Sequence, residues 1–235
     1  MQPDYQYLIR KTGISLPVMG LYDVPDPEPF KPYLSAGSCL FAHYKRCLKG
    51  QSVLITRDQP GCRGAGKWLC DIQKRTRKDY IEFLTDDEGL KADHNLMGQW
   101  FDVSSPYKME HENLVFGPLK KSEYDNLKTV SFFINPDQLS MLMIGAQYYH
   151  APGDPEPVIA HFGSGCMQLL PLFKDLSIPQ AMIGGTDMAM RKYLPPDLLI
   201  FTVTIPMFEL LCRLDSNSFL EKSFIQELKR SRKSK

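Results

Sequence analysis

Two strongly apolar segments of this chain, Thr129–Ile134 and Leu198–Thr204, are of strand length, and each runs within two residues into a proline and then a helix-patterned stretch. Proline near the first turn with an acid beside it, as in Asn135-Pro136-Asp137, is a helix-start signal. The same strand-then-helix order recurs along the chain. Strands are predicted at Ser15–Tyr22, Val53–Thr56, Leu114–Leu119, Val158–Phe162 and Gln180–Gly184. Helices are predicted at Tyr5–Lys11, Ser38–Lys49, Lys67–Lys74, Tyr80–Asp87, Asn135–Tyr149, Gly165–Lys174, Met207–Leu214 and Phe219–Lys229. Such alternation points to an α/β fold, a mostly open mixed sheet covered by helices, with α+β as the alternative.

The 235 residues suit a single domain, 1–235. The proline-rich segment 23–32 reads as an extended connector, because proline at that density holds neither helix nor central strand. Residues 230–235 read as a flexible basic tail. Residues 89–112 read as loop with short helical pieces, and 80–112 as a whole matches no pattern. One internal echo, Thr129–Tyr148 against Leu198–Leu214, is what a duplicated half would leave, and also what ordinary α/β order would leave.

The formal net charge is +1. That argues against nucleic acid or a membrane surface as partner, since both call for an excess of positive charge. The basic runs 74–78 and 229–235 read as a solvated helix end and a terminus. Met1–Lys11 lacks the apolar core of a secretory signal, and no apolar run approaches the roughly 20 residues of a membrane helix. The expected compartment is the cytoplasm. There the six cysteines would be reduced, and so structural, catalytic or metal-binding.

Three of them share one setting. Cys39 follows Ala36-Gly37-Ser38, Cys62 sits in Gly61-Cys62-Arg63-Gly64-Ala65-Gly66, and Cys166 follows Gly163-Ser164-Gly165; each precedes a predicted helix. The first turn of a helix has unpaired N–H groups and a partial positive charge, which stabilises a thiolate by up to about 2 kcal/mol. At about 1.4 kcal/mol per pKa unit, one helix end lowers a thiol by roughly a unit. A metal would complete the deprotonation. Cys47, Cys70 and Cys212 have apolar helical neighbours and read as core. His43, four residues after Cys39, could share a helix face with it, and His161 precedes Cys166.

The glycine-flanked Cys39, the Pro60-Gly61-Cys62-Arg63-Gly64-Ala65 turn, the Asn135-Pro136-Asp137-Gln138 helix start, the Gly165-Cys166 start and the strand ending Thr204-Ile205-Pro206 occur here in an order that resembles the ArCR-type domain of unknown function. The resemblance runs from about Ser15 to Leu214. It implies that Cys39, Cys62 and Cys166 correspond to cysteine positions of a family found in archaea and anaerobic bacteria, and it implies no catalytic residues.

Three functions stay open at this point. In the first, Cys39, Cys62 and Cys166, with His43 as a further candidate, bind an iron–sulfur cluster or another metal that takes a small ligand. Such clusters usually have four cysteine ligands, so three leave one iron open. In the second, the turn with Gly61, Arg63, Gly64 and Gly66 holds an anionic small molecule and the cysteines pack. In the third, Cys62 is the nucleophile of an enzyme. The second glycine turn, Gly184-Gly185-Thr186-Asp187, reads as tight turning, the group Asp86, Asp87, Glu88, Asp93 and His94 as a solvated acidic turn, and Met141, Met143, Tyr148 and Tyr149 as core.

Overall fold

The computed structural model describes residues 3–233. In chain order the elements are α1 (Gln6–Thr12), β1 (Met19–Val24), β2 (Tyr33–Ser35), α2 (Tyr44–Cys47), β3 (Ser52–Thr56), α3 (Arg63–Trp68), α4 (Arg77–Glu82), α5 (His94–Val103), β4 (Asn113–Pro118), β5 (Leu127–Ile134), α6 (Pro136–Gln147), β6 (Val158–Ile159), β7 (Ala181–Gly184), α7 (Met188–Arg191), β8 (Leu199–Thr204), α8 (Ile205–Cys212) and α9 (Ser223–Lys233). The strands form one mixed eight-stranded sheet in the order β2-β3-β4-β1-β5-β8-β7-β6. The expected α/β fold, a mixed open sheet under helices, is what this chain adopts.

The sheet reads the same from either edge. Exchanging β1 with β5, β2 with β6, β3 with β7 and β4 with β8 reproduces the order. Strand directions agree: β2/β3 and β6/β7 are parallel, and the other neighbours are antiparallel. The register agrees too. Met19 faces Pro118 and Val24 faces Asn113 in the first half, as Thr129 faces Thr204 and Ile134 faces Leu199 in the second. Met19 and Thr129 are therefore equivalent. The central pair then matches Met19 with Ser131, Gly20 with Val130 and Leu21 with Thr129, so a pseudo-two-fold passes by the Gly20–Val130 pair. The echo expected between Thr129–Tyr148 and Leu198–Leu214 is not this repeat, because both segments lie in the second half.

Alternation along the central strands sends side chains to two cores. Tyr22, Val24, Phe132, Ile134, Phe201 and Val203 pack with α1, α6 and α8 on one face. Met19, Leu21, Phe133 and Ile200 pack on the other with Leu40, Phe41, Ala65, Cys166 and Met190. With both faces covered, the central strands are buried along almost their whole length. Helix starts follow local chemistry. Asn135 and Gln138 cap α6 reciprocally, at 2.9 and 3.0 Å, and Asp93 accepts the Leu96 N–H at 2.8 Å to open α5.

Several expectations need correcting. The first strand spans Met19–Val24 rather than starting at Ser15, and the connector 23–32 leads into a three-residue edge strand, β2. The helix expected over Ser38–Lys49 is a 3-10 turn, Leu40–His43, followed by the single turn α2. The helix expected from Lys67 begins at Arg63, inside the glycine turn, because Cys62 caps it. The helix expected over Gly165–Lys174 is only a 3-10 turn, Met167–Leu169, since Pro171 lacks the N–H that would continue it. The loop expected over 89–112 contains the ten-residue α5. Met141 is buried, but Met143, Tyr148 and Tyr149 are exposed rather than core. The basic tail belongs to α9 as far as 233; its last two residues lie outside the described ones. No helix among the described residues is long and apolar enough to cross a membrane.

Candidate functional site

Cys39 and Cys166 are the N-caps of 3-10 turns, and Cys62 is the N-cap of α3. The Cys62 sulfur accepts the Ala65 N–H at 3.5 Å, the bond a serine or aspartate makes at this position. The three turns pack directly on one another. Gly61 has φ of +87°, and a Cβ there would stand 2.5 Å from the Ser38 carbonyl oxygen and 2.7 Å from that of Ala36. Only glycine lets the Cys62 turn lie against the Cys39 turn in this way. A Cβ on Gly64 would meet Ser164 at 3.4 Å, next to the Cys166 turn, and the Cys62 sulfur at 3.8 Å.

Cys39 and Cys62, both half-buried, pack against the core cluster that contains buried Cys166. Hydrogen bonds from the Cys166 thiol first and then from the Cys39 thiol, aided by the Ala65 and Gly64 N–H groups, outweigh burial and hold the Cys62 thiol well below the usual range. The donors move the other way. Hydrogen bonding to Cys62, then burial, pushes the Cys39 and Cys166 thiols up, and the Asp187 carboxylate adds to the effect on Cys166. By contrast, burial, offset by a backbone hydrogen bond, pushes Cys47 up to about 11, and burial, offset by Arg57, pushes Cys70 up to about 11. Cys47 ends α2, Cys70 lies just past α3, and Cys212 ends α8, half-buried.

The spacing of the three sulfurs is not that of a compact cage. Among the described residues, the group of three His, Cys, Asp or Glu side chains whose donor atoms all lie within 4.8 Å of one another is Asp23, Glu110 and His111. Asp23 there accepts from the Tyr107 hydroxyl at 2.8 Å, the Glu110 N–H at 2.7 Å and the His111 N–H at 3.0 Å, with the His111 Nδ1 at 3.2 Å. It ties β1 to the segment that enters β4. His43 is not drawn to the thiols. Its ring is shifted down by burial and by Arg46, and its buried Nε2 has no partner. Arg63 is exposed and makes no ion pair among the described residues. The acidic turn resolves into local pairs, with His94 on Asp86 at 2.8 Å and Asp93 capping α5.

The second glycine turn, expected only to turn tightly between strand and helix, holds the Cys166 turn. Asp187, the N-cap of α7, accepts the Gly165 N–H on Oδ2 at 2.8 Å and the Ala189 N–H on Oδ1 at 2.8 Å. Gln168, buried, accepts the Gly185 N–H at 2.9 Å and donates to Thr186 Oγ1 at 2.6 Å, joining both glycine turns of the second half. Ser164 Oγ is buried without a partner.

The unreadable segment 80–112 packs against the same region. Trp68 of α3 contacts Trp100 and Phe101, each at 5.6 Å between ring centroids, and Trp100 contacts Phe162 at 4.7 Å. The chain belongs to the family described as uncharacterised ArCR (DUF169). The family model matches residues 16–213, which include all three helix-start cysteines. No curated protein and no solved structure matches the chain.

Proposed function

We propose that this ArCR-family chain carries a thiolate centre on Cys62, flanked by Cys39 and Cys166, that binds a thiophilic metal, as one ion or as an iron–sulfur cluster, and through it a small ligand. The observation that supports this reading is the packing of the Cys62 turn on the turns that carry Cys39 and Cys166, through Gly61 against Ala36 and Ser38 and Gly64 against Ser164. Soft thiolate ligands select zinc, copper(I) and iron–sulfur clusters. With Cys62 already ionised, coordination asks for the loss of two further protons. A chain of 235 residues needs no metal merely to fold, so a metal here would serve function. Sulfurs that bind different irons of a cluster stand further apart than sulfurs sharing one ion, which suits the open spacing of the trio. Arg63, exposed at the first position of α3, would meet an anionic part of the ligand.

A second reading rests on that same open spacing: Cys62 is a nucleophile, and Cys39 and Cys166 supply the hydrogen bonds that ionise it. Purification without oxygen separates the two. Metal bound in proportion to chain, lost when Cys62 is replaced by alanine, is the expected result. Metal-free protein from an anaerobic preparation, with Cys62 selectively alkylated by iodoacetamide near neutral pH, would overturn the first reading in favour of the second.

A further inference from the structure

Four residues apart on α3, Arg63 and Lys67 share one face of the helix. Lys67 is 9% exposed, and its ammonium makes neither an ion pair nor a hydrogen bond among the described residues. What surrounds it is aromatic: Nζ stands 5.6 Å from the centre of the Trp68 ring and 5.9 Å from that of Tyr80. Ring faces attract a cation, but a lysine is almost never buried to this extent without an anionic partner. The carboxylates of the neighbouring α4–α5 segment are committed elsewhere. Asp102 takes Arg77 at 2.6 Å, Glu82 takes Lys78 at 3.6 Å and Asp86 takes His94 at 2.8 Å, while Asp79 and Asp93 hold the starts of α4 and α5. Burial first, then Asp187 and Asp87, raises the Glu88 carboxyl, so the remaining acids of the segment act on one another. Lys67 is therefore a buried cation whose counter-ion the chain does not supply.

The Tyr80 hydroxyl, on a half-buried ring, makes no hydrogen bond among the described residues either. Burial pushes this phenol up, and the charges of Arg75 and Arg63 pull it back, so both guanidinium groups act at the ring that Lys67 faces. An ammonium, a guanidinium and a phenol O–H thus gather here, each with donors to spare. We infer that Lys67, Arg63 and Tyr80 bind the phosphoryl group of a small molecule. A phosphoryl group offers three strong acceptor oxygens and a charge close to that of the two cations. A carboxylate, with one charge, would leave one of them uncompensated. This inference names the anionic part of the ligand proposed above and rests on that reading for the ligand's role, but the site itself uses neither thiol nor metal.

The test is a titration of the full, reduced chain, without added metal, with inorganic phosphate at constant ionic strength, and with acetate for comparison. Both tryptophans of the chain, Trp68 and Trp100, belong to the aromatic cluster beside Lys67, so their fluorescence reports the site, and calorimetry repeats the measurement independently of the rings. Saturable phosphate binding is expected, with acetate about tenfold weaker or more. Lys67→Met keeps a buried, unbranched side chain and should weaken phosphate about tenfold or more. Arg63→Gln, at an exposed position, should weaken it about two- to fivefold. Far-ultraviolet circular dichroism and thermal melts check that both variants fold. No saturable response to phosphate, or undiminished binding by folded Lys67→Met, would overturn the site. Acetate bound as tightly as phosphate would overturn the phosphoryl assignment. Either failure leaves the thiolate centre standing, because metal content and the alkylation of Cys62 decide that reading separately.

Discussion

The charge on Cys62 depends on what donates to it. The Cys166 and Cys39 thiols and the Ala65 and Gly64 N–H groups lower its pKa and together outweigh its burial. A lowered pKa means that the thiolate persists as pH falls below the ordinary thiol value of about 8.5. Alkylation of Cys62 by iodoacetamide is therefore expected to stay nearly constant from about pH 8.5 down to about pH 6, a range in which an ordinary thiol loses more than a hundredfold of its thiolate. Cys39 and Cys166, whose thiols are pushed up, should react far more slowly. Replacing both by alanine removes both thiol donors and should move the Cys62 profile back toward the ordinary range. Mass spectrometry of the alkylated chain gives each rate, and an ordinary profile for Cys62 in the unsubstituted chain would rule out the preformed thiolate. The linked stability follows the same sign: the Cys62 contribution is complete above the unfolded thiol value and is lost as pH falls toward its folded value. The contributions of Cys39 and Cys166 are complete below the unfolded value and are lost as pH rises through their folded ones. At this scale the sequence exposed half of the arrangement. A glycine turn before a helix start marked Cys39, Cys62 and Cys166, but the packing of their turns on one another comes from Gly61 and Gly64, which no local pattern encodes.

Elements were legible in proportion to their burial. Strands β5 and β8 are buried along nearly their whole length and read as apolar runs. The helices near the thiols were misread because they are short turns held by caps and neighbours, with too few residues for a 3.6-residue period to show. The excursion between β3 and β4 was opaque for another reason. Helix α4 buries no residue and α5 only Met97 and Gly98, so neither carries a stripe of apolar residues. That has a dynamic consequence, because segments with few buried contacts open at lower free energy than the sheet. In native-state hydrogen exchange, amides of 77–103 should exchange well before those of β1, β5 and β8. Trp100→Ala removes contacts to Trp68 and Phe162 and should speed exchange across 94–103 with the central strands unchanged. Protection in α5 equal to that of β5 would show that the excursion is part of the global unit, not a cover lying on it.

The whole molecule is a fold used twice, yet its halves are not separate bodies. Their seam is the β1–β5 pair, and Met19, Leu21 and Val53 of the first half share one core with Phe133, Leu169 and Ile200 of the second. Cys39 and Cys62 come from one half and Cys166 from the other, so a metal held by the proposed thiolate centre would bind only when both halves are folded and docked. Mass action then fixes the size of the effect: free metal at 100 times its Kd stabilises the fold by about 2.7 kcal/mol. For a chain of this length that is a rise of roughly 5–11 °C in Tm. Melting the reduced full chain without oxygen, with and without Co²⁺, should show a single transition moved upward by about that amount, and Cys62→Ala should abolish the shift. A shift that survives in Cys62→Ala would place the metal elsewhere, on a set such as Asp23, Glu110 and His111 that sits within the first half. A transition that splits in two would mean the ligand is held by one half alone, and the centre would then not span the two.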